Sequence, residues 1–145
     1  MTVRIVKLQQ NAKIPTYGST DAAGADLYAC IDAPVSILPG QTVLIPTGLS
    51  MEIEQGFAGF IYARSGLATK RGLAPANKVG VVDCDYRGQV MVSLHNHTDQ
   101  PQYVEPGERV AQMVFAPVYQ AAFCEVDALS DTERGTGGFG STGTK

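Results

Sequence analysis

A chain of 145 residues suits a single domain, and folding at this size buries roughly 68–70% of the unfolded surface, enough for a core without covalent staples. A net charge of −3 excludes a broad nucleic-acid footprint, which needs clustered Lys and Arg, although a few well-placed cations can still hold one polyphosphate. Cys30, Cys84 and Cys124 are odd in number, far apart and without a C-x-x-C pair; no disulfide framework is expected, and a cytoplasmic protein is. Residues 1–7 are too polar for a signal peptide, and no run approaches the ~18 apolar residues of a membrane span.

Taken in chain order, short apolar or alternating runs predict strands over 3–8, 41–45, 57–63, 79–82, 89–95, 109–118 and 122–126. Proline and glycine mark their ends, with Pro-Gly turn signals at 39–40 and 106–107. One helix is expected over about 64–70, capped by Ser65 and ended by Gly72. Many short strands and little helix imply an all-β fold, a jelly-roll-like barrel or sandwich. The chain divides into a β core over 1–129 and a glycine-rich arm over 130–145.

The arm is different in kind. Residues 134–145 hold five glycines and Phe139 as the one large side chain, too little apolar area to offset the entropy of ordering them. It reads either as a loose terminus or as a flexible arm that orders over a ligand; a Phe between glycines, with Arg134, Ser141 and Thr142 able to meet phosphate, favours the second. Gly135-x-Gly137-x-x-Gly140 imitates a dinucleotide fingerprint, but no βαβ unit can follow it.

Four further stretches carry candidate chemistry. Asp26 in Ala23-Gly24-Ala25-Asp26-Leu27 reads, alone, as a solvated turn residue. Arg64-Ser65-Gly66 stands at the expected helix start, where free N–H groups favour anions. In residues 77–90 two strands flank 83–88 as a β-hairpin, and an extended chain would point Asp83 and Asp85 to one face. In Gly107–Met113, alternation groups Arg109 with Ala111 and Met113, leaving Gln112 among apolar neighbours, where an unpaired amide costs about 1–3 kcal/mol and demands a partner. His95 and His97 share a strand face, but no third ligand lies within reach in sequence.

Together AGADL (23–27), ARSGL (63–67), NKVGVVDCDYRGQV (77–90), GERVAQM (107–113) and RGTGGFGSTG (134–143) resemble, in order, the five motifs of the homotrimeric dUTPase family. The resemblance implies a jelly-roll-like homotrimer with sites at subunit interfaces, each closed by a neighbour's arm. It implies hydrolysis of dUTP to dUMP and pyrophosphate, keeping uracil out of DNA and supplying dUMP for thymidylate synthesis, with neither nucleic acid nor membrane as partner. Arg64, Ser65, Gly66 and Gln112 match phosphate-holding residues. Asn77, Gly80, Val82 and Met91 match the uracil-reading segment. Asp83 matches the carboxylate that activates water, with Asp85 beside it, and Tyr86 matches the aromatic residue under deoxyribose. Arg134, Gly138, Phe139, Gly140, Ser141 and Thr142 match the closing arm. Mg²⁺ is implied as cofactor, held by triphosphate oxygens and water rather than by direct protein ligands, with Asp26 in a supporting place that could reach it through water. The related dCTP deaminases place a catalytic Glu where this chain has Ser93 and lack the Phe-bearing arm, which argues against deamination.

Overall fold

Runs of three to nine alternating residues are too short for stable helices but suit strands with one buried face. In the computed structural model, which describes residues 1–138, the elements are β1 (Arg4–Lys7), β2 (Thr16–Tyr17), β3 (Ala25–Tyr28), β4 (Val35–Ile37), β5 (Thr42–Glu52), β6 (Phe57–Tyr62), α1 (Ser65–Arg71), β7 (Leu73–Pro75), β8 (Gly80–Val82), β9 (Gln89–Asn96), β10 (Gln102–Val104) and β11 (Arg109–Pro117). They form a four-stranded sheet β1-β5-β9-β7, a five-stranded sheet β2-β3-β11-β6-β8 and a two-stranded pair β10-β4. Every pairing is antiparallel.

One core lies between the sheets. Ile45 and Leu49 of β5, Val92 and Leu94 of β9, Leu27 of β3 and Met113 of β11 are all at most 1% exposed and belong to a single cluster. Full burial of each such side chain contributes about 1.5–3 kcal/mol. The three sheets do not join, so of the two expected forms, the sandwich is right and the closed barrel is not. Closure depends on which edges meet, and alternation along a strand carries no information about that. Among the described residues, no helix is long and apolar enough to cross a membrane.

Several boundaries differ from expectation for identifiable reasons. Strand β5 does not stop at Pro46 but runs on to Glu52, because its register against β9 shifts between Pro46 and Ser50. A bulge accommodates a proline that a regular ladder would reject. Gly48 sits there at φ 69°, and a Cβ on it would fall 2.6 Å from the Cys30 Sγ. In α1 it is Arg64, with extended backbone, that occupies the N-cap; Ser65 is the first helical residue and no side chain caps the turn. The helix does end at Gly72, left-handed at φ 61°, whose N–H reaches the Ala68 carbonyl at 3.0 Å. Strands β2, β3, β4, β7 and β10 span only two to four residues each, too few to display a period. The strand expected over 122–126 does not form within the chain, and Phe123 is 97% exposed.

Asn96 ties the four-stranded sheet to the two-stranded pair. Fully buried at the end of β9, it donates to the Ile37 carbonyl at 2.9 Å and the Gln100 carbonyl at 2.8 Å, and its Oδ1 accepts from the Thr98 N–H at 2.9 Å. Replacing Asn96 with Leu would strand these partners, at about 1–3 kcal/mol for each group left unsatisfied. Urea unfolding of Asn96→Leu is expected to show a loss of at least about 2 kcal/mol; an unchanged midpoint would remove Asn96 as the tie.

Candidate active site

The expected hairpin over 77–90 is not one. Strand β8 pairs with β6 in the five-stranded sheet, whereas β9 pairs with β5 and β7 in the four-stranded one. The connection 83–88 therefore crosses from sheet to sheet, and the strands part around a cleft of about 260 Å³. Asn77, Gly80, Val82, Asp83, Tyr86 and Met91 all line it, together with Ile61 and Ser93. Strand ends from two sheets thus converge residues that the sequence holds as far apart as Asn77 and Met91.

The floor of this cleft is tight. Lys78 adopts φ 64°, costly for a residue with a Cβ, and the turn is closed by its N–H to the Pro75 carbonyl at 3.0 Å. Gly80 lets the Asn77 amide lie against β8, since a Cβ there would stand 3.2 Å from Asn77 Nδ2. Asp83 and Tyr86 are exposed at the mouth. Asp83 and Asp85 do not share an extended face: the chain turns between them, the Tyr86 N–H reaching back to the Asp83 carbonyl at 3.2 Å, and Asp85 lies outside the cleft lining.

A second cleft, of about 210 Å³, is lined by Gly18, Ala22, Gly24, Asp26, Arg64, Ser65, Gly66, Arg109 and Gln112. Asp26 is no solvated turn residue. It is 7% exposed on β3, and its two carboxylate oxygens are divided between arginines, Oδ1 accepting from Arg64 Nε at 2.7 Å and Oδ2 from Arg109 Nη1 at 3.1 Å. A carboxylate this buried is tolerable only when paired, since desolvating an unpaired ion costs several kcal/mol. Two guanidinium groups over one carboxylate leave the cleft with an excess of positive charge in a chain whose net charge is −3.

Gln112 meets its expected need of a partner by donating to the Ala63 carbonyl at 2.9 Å. Gly24 makes room for it, because a Cβ there would lie 2.5 Å from Gln112 Oε1. Arg109 was not singled out from sequence, since alternation put it on the face of Ala111 and Met113. The register of β11 against β3 shifts between Arg109 and Ala111, and Arg109 lines the cleft with Gln112 instead. A bulge is a matter of partner strands and leaves no mark in the chain that carries it.

The two clefts share no lining residue. The first, half apolar and edged by backbone, suits a flat heterocycle and a sugar with a carboxylate at its mouth. The second suits an anion. Arg134 and Gly138 line neither; Arg134 lies in a turn, its Nε donating to the Gly137 carbonyl at 2.8 Å. Phe139, Gly140, Ser141 and Thr142 lie outside the described residues. His95 and His97 meet edge-on at 4.5 Å, with His95 Nδ1 2.8 Å from the Thr42 hydroxyl. Partial desolvation, then His95 and Lys78 nearby, hold the His97 imidazole below its ordinary range.

Comparisons with known proteins point to one family. The dUTPase family model matches residues 10–143. A deoxyuridine 5'-triphosphate nucleotidohydrolase of Desulfitobacterium hafniense is 49% identical over 142 residues, covering 97% of this chain and 94% of that protein. One from Thiobacillus denitrificans is 47% identical over 99% of both chains. Among solved structures, a dUTPase of Staphylococcus bacteriophage 80alpha with dUPNHPP superposes at a TM-score of 0.90, with 26% identity over 99% of each chain. The chain is an enzyme and belongs to the dUTPase family.

Proposed function

We propose that the chain hydrolyses dUTP to dUMP and pyrophosphate, with Asp83 activating the attacking water and Mg²⁺ as cofactor. The observation that carries this reading is the convergence of Asn77, Asp83 and Tyr86 on one cleft between two sheets, in a chain whose relatives are named for that substrate. Asn77 and the backbone of Gly80 and Val82 would pair with the uracil edge, with Met91 along the wall. Cytosine inverts the donor and acceptor pattern, and each buried group left unpaired costs about 1–3 kcal/mol. Tyr86 would lie under the sugar and leave no room for a 2′-hydroxyl.

The cationic cleft supports a triphosphate seat. Arg64 and Gln112, with the Ser65 hydroxyl and the Gly66 backbone, would hold the phosphates, and Arg109 joins them by position. Asp83 would take a proton from water as its oxygen bonds to the α-phosphorus. The bond from that phosphorus to the α,β-bridging oxygen breaks, and pyrophosphate leaves. Alignment and charge neutralisation supply most of the rate in such chemistry. Asp26 is the carboxylate of the phosphate cleft and both its oxygens are taken by arginines. This donor set fits an ion held by triphosphate oxygens and water, with Asp26 near it in a supporting place, rather than a protein cage. When bound, Mg²⁺ would draw charge from the triphosphate. Asp85 would act only through its charge.

Two observations support a homotrimer with sites between subunits. The nucleoside cleft and the phosphate cleft share no lining residue within one chain, and a neighbour's phosphate cleft would complete each nucleoside cleft. Beyond β11, Tyr119 and Phe123 are 95% and 97% exposed, an apolar surface that a partner chain would cover. The arm over 130–145, with Arg134, Gly138, Phe139, Gly140, Ser141 and Thr142, would then close a neighbour's site over the β core of 1–129. In a cytoplasmic setting the reaction would keep uracil out of DNA and supply dUMP for thymidylate synthesis.

Pyrophosphate release from a panel of dUTP, dCTP, dTTP and UTP tests the substrate: dUTP should be preferred by at least about 100-fold, and activity should fall away when EDTA removes Mg²⁺. Asp83→Asn is expected to bind dUTP within about threefold of the parent by calorimetry while losing at least about 10³-fold in kcat; substantial residual turnover would reject Asp83 as the base. Deleting residues 134–145 should leave the melting temperature within about 2 °C, as Phe139 is the one large apolar side chain in that stretch of sequence, while the rate collapses. A truncated enzyme of normal rate would show that the arm closes nothing.

A further inference from the structure

Tyr86 stands 45% exposed at the mouth of the nucleoside cleft, and an aromatic side chain that open would swing between rotamers unless something fixed it. The loop beneath it is well braced. Arg87 donates from Nη1 to the Cys84 carbonyl at 2.7 Å and to the Tyr86 carbonyl at 3.2 Å, and the Ser50 hydroxyl donates to the Arg87 carbonyl at 2.7 Å. These contacts fix backbone and leave the ring free to rotate. The ring itself has two restraints: its hydroxyl donates to the Gln89 carbonyl at 3.0 Å, and its far edge lies directly on Gly88. A Cβ on Gly88 would fall 2.5 Å from Tyr86 Cζ and 2.9 Å from Cε2, and would overlap the phenol oxygen as well.

Gly88 is not among the residues of left-handed φ, so its backbone conformation is open to any residue. What requires glycine here is the space above it. We propose that Gly88 is a positioning residue for the Tyr86 ring, and through that ring sets the preference for a deoxyribose over a ribose substrate. This rests on the reading of Tyr86 as the residue beneath the sugar. A methyl group at position 88 meets only the far end of an exposed side chain. The fold can give way by moving that ring, and the ring's position is the property at stake. The change should therefore be cheap for stability and costly for specificity.

The test is a double-mutant cycle read as the ratio of kcat/KM for dUTP to kcat/KM for UTP. Gly88→Ala should lower that ratio by about tenfold or more, mainly through a higher kcat/KM for UTP, with a melting temperature within about 2 °C of the parent. In a Tyr86→Ala background the same substitution should move the ratio by less than about twofold, because nothing remains to be displaced. Equal effects in both backgrounds, or an unchanged ratio in Gly88→Ala, would overturn the proposal. If Gly88→Ala fails to fold, the double variant should recover folding; a double variant that stays unfolded would place the clash elsewhere and overturn it too. Should Tyr86→Ala alone leave the ratio unchanged, the reading of Tyr86 itself falls, an outcome separate from a failure of Gly88 to act through it.

Discussion

Val82 and Val90 are both buried, and eight positions apart in sequence, yet the strands that carry them never hydrogen-bond to each other. Each is drawn to a different sheet, β8 to β6 and β9 to β5 and β7. A paired hairpin here would have filled the space with its own ladder. Because the two strands part, backbone at the cleft floor keeps hydrogen-bonding capacity that a ladder would have consumed, and the loop between them is held at the mouth. The cleft, the carboxylate at its edge and the aromatic ring beside it all follow from that one division of pairing.

Charge is handled with similar economy on the opposite side of the sheet order. Asp26 sits in β3 opposite Gln112 of β11, and its burial makes its two arginine partners obligatory rather than optional. A surface pair between these residues would be worth little after screening; buried, it fixes where two guanidinium groups stand. The rest of the chain is mildly acidic and repels anions, so a polyphosphate is drawn to a cleft where two guanidinium groups face one buried carboxylate.

What could be read from the residues alone follows the range of each interaction. Long strands such as β9 and β11 announce themselves by alternation, and the Gly72 helix stop by its left-handed requirement. The demand of Gln112 for a partner was legible because an amide among apolar neighbours must be satisfied, and it is, by Ala63. What was hidden depends on partners distant in sequence: the bulge that turns Arg109 into the cleft, the continuation of β5 through Pro46, and the burial of Asp26. Local composition makes Asp26 a turn residue; two arginines 38 and 83 positions away make it a core one. The parting of β8 from β9 was equally invisible, since a short polar connection between two apolar runs looks the same whether or not the runs pair.

The exposed stretch after β11 bears on how a newly made copy behaves. Val118, Tyr119, Phe123, Val126 and Leu129 all stand exposed among the described residues. A solitary copy thus carries an adhesive ribbon whose cost in water is relieved only by contact with another molecule. If that molecule is a sibling, specific activity per chain becomes a function of protein concentration, and dilution inactivates the enzyme by mass action without unfolding its core.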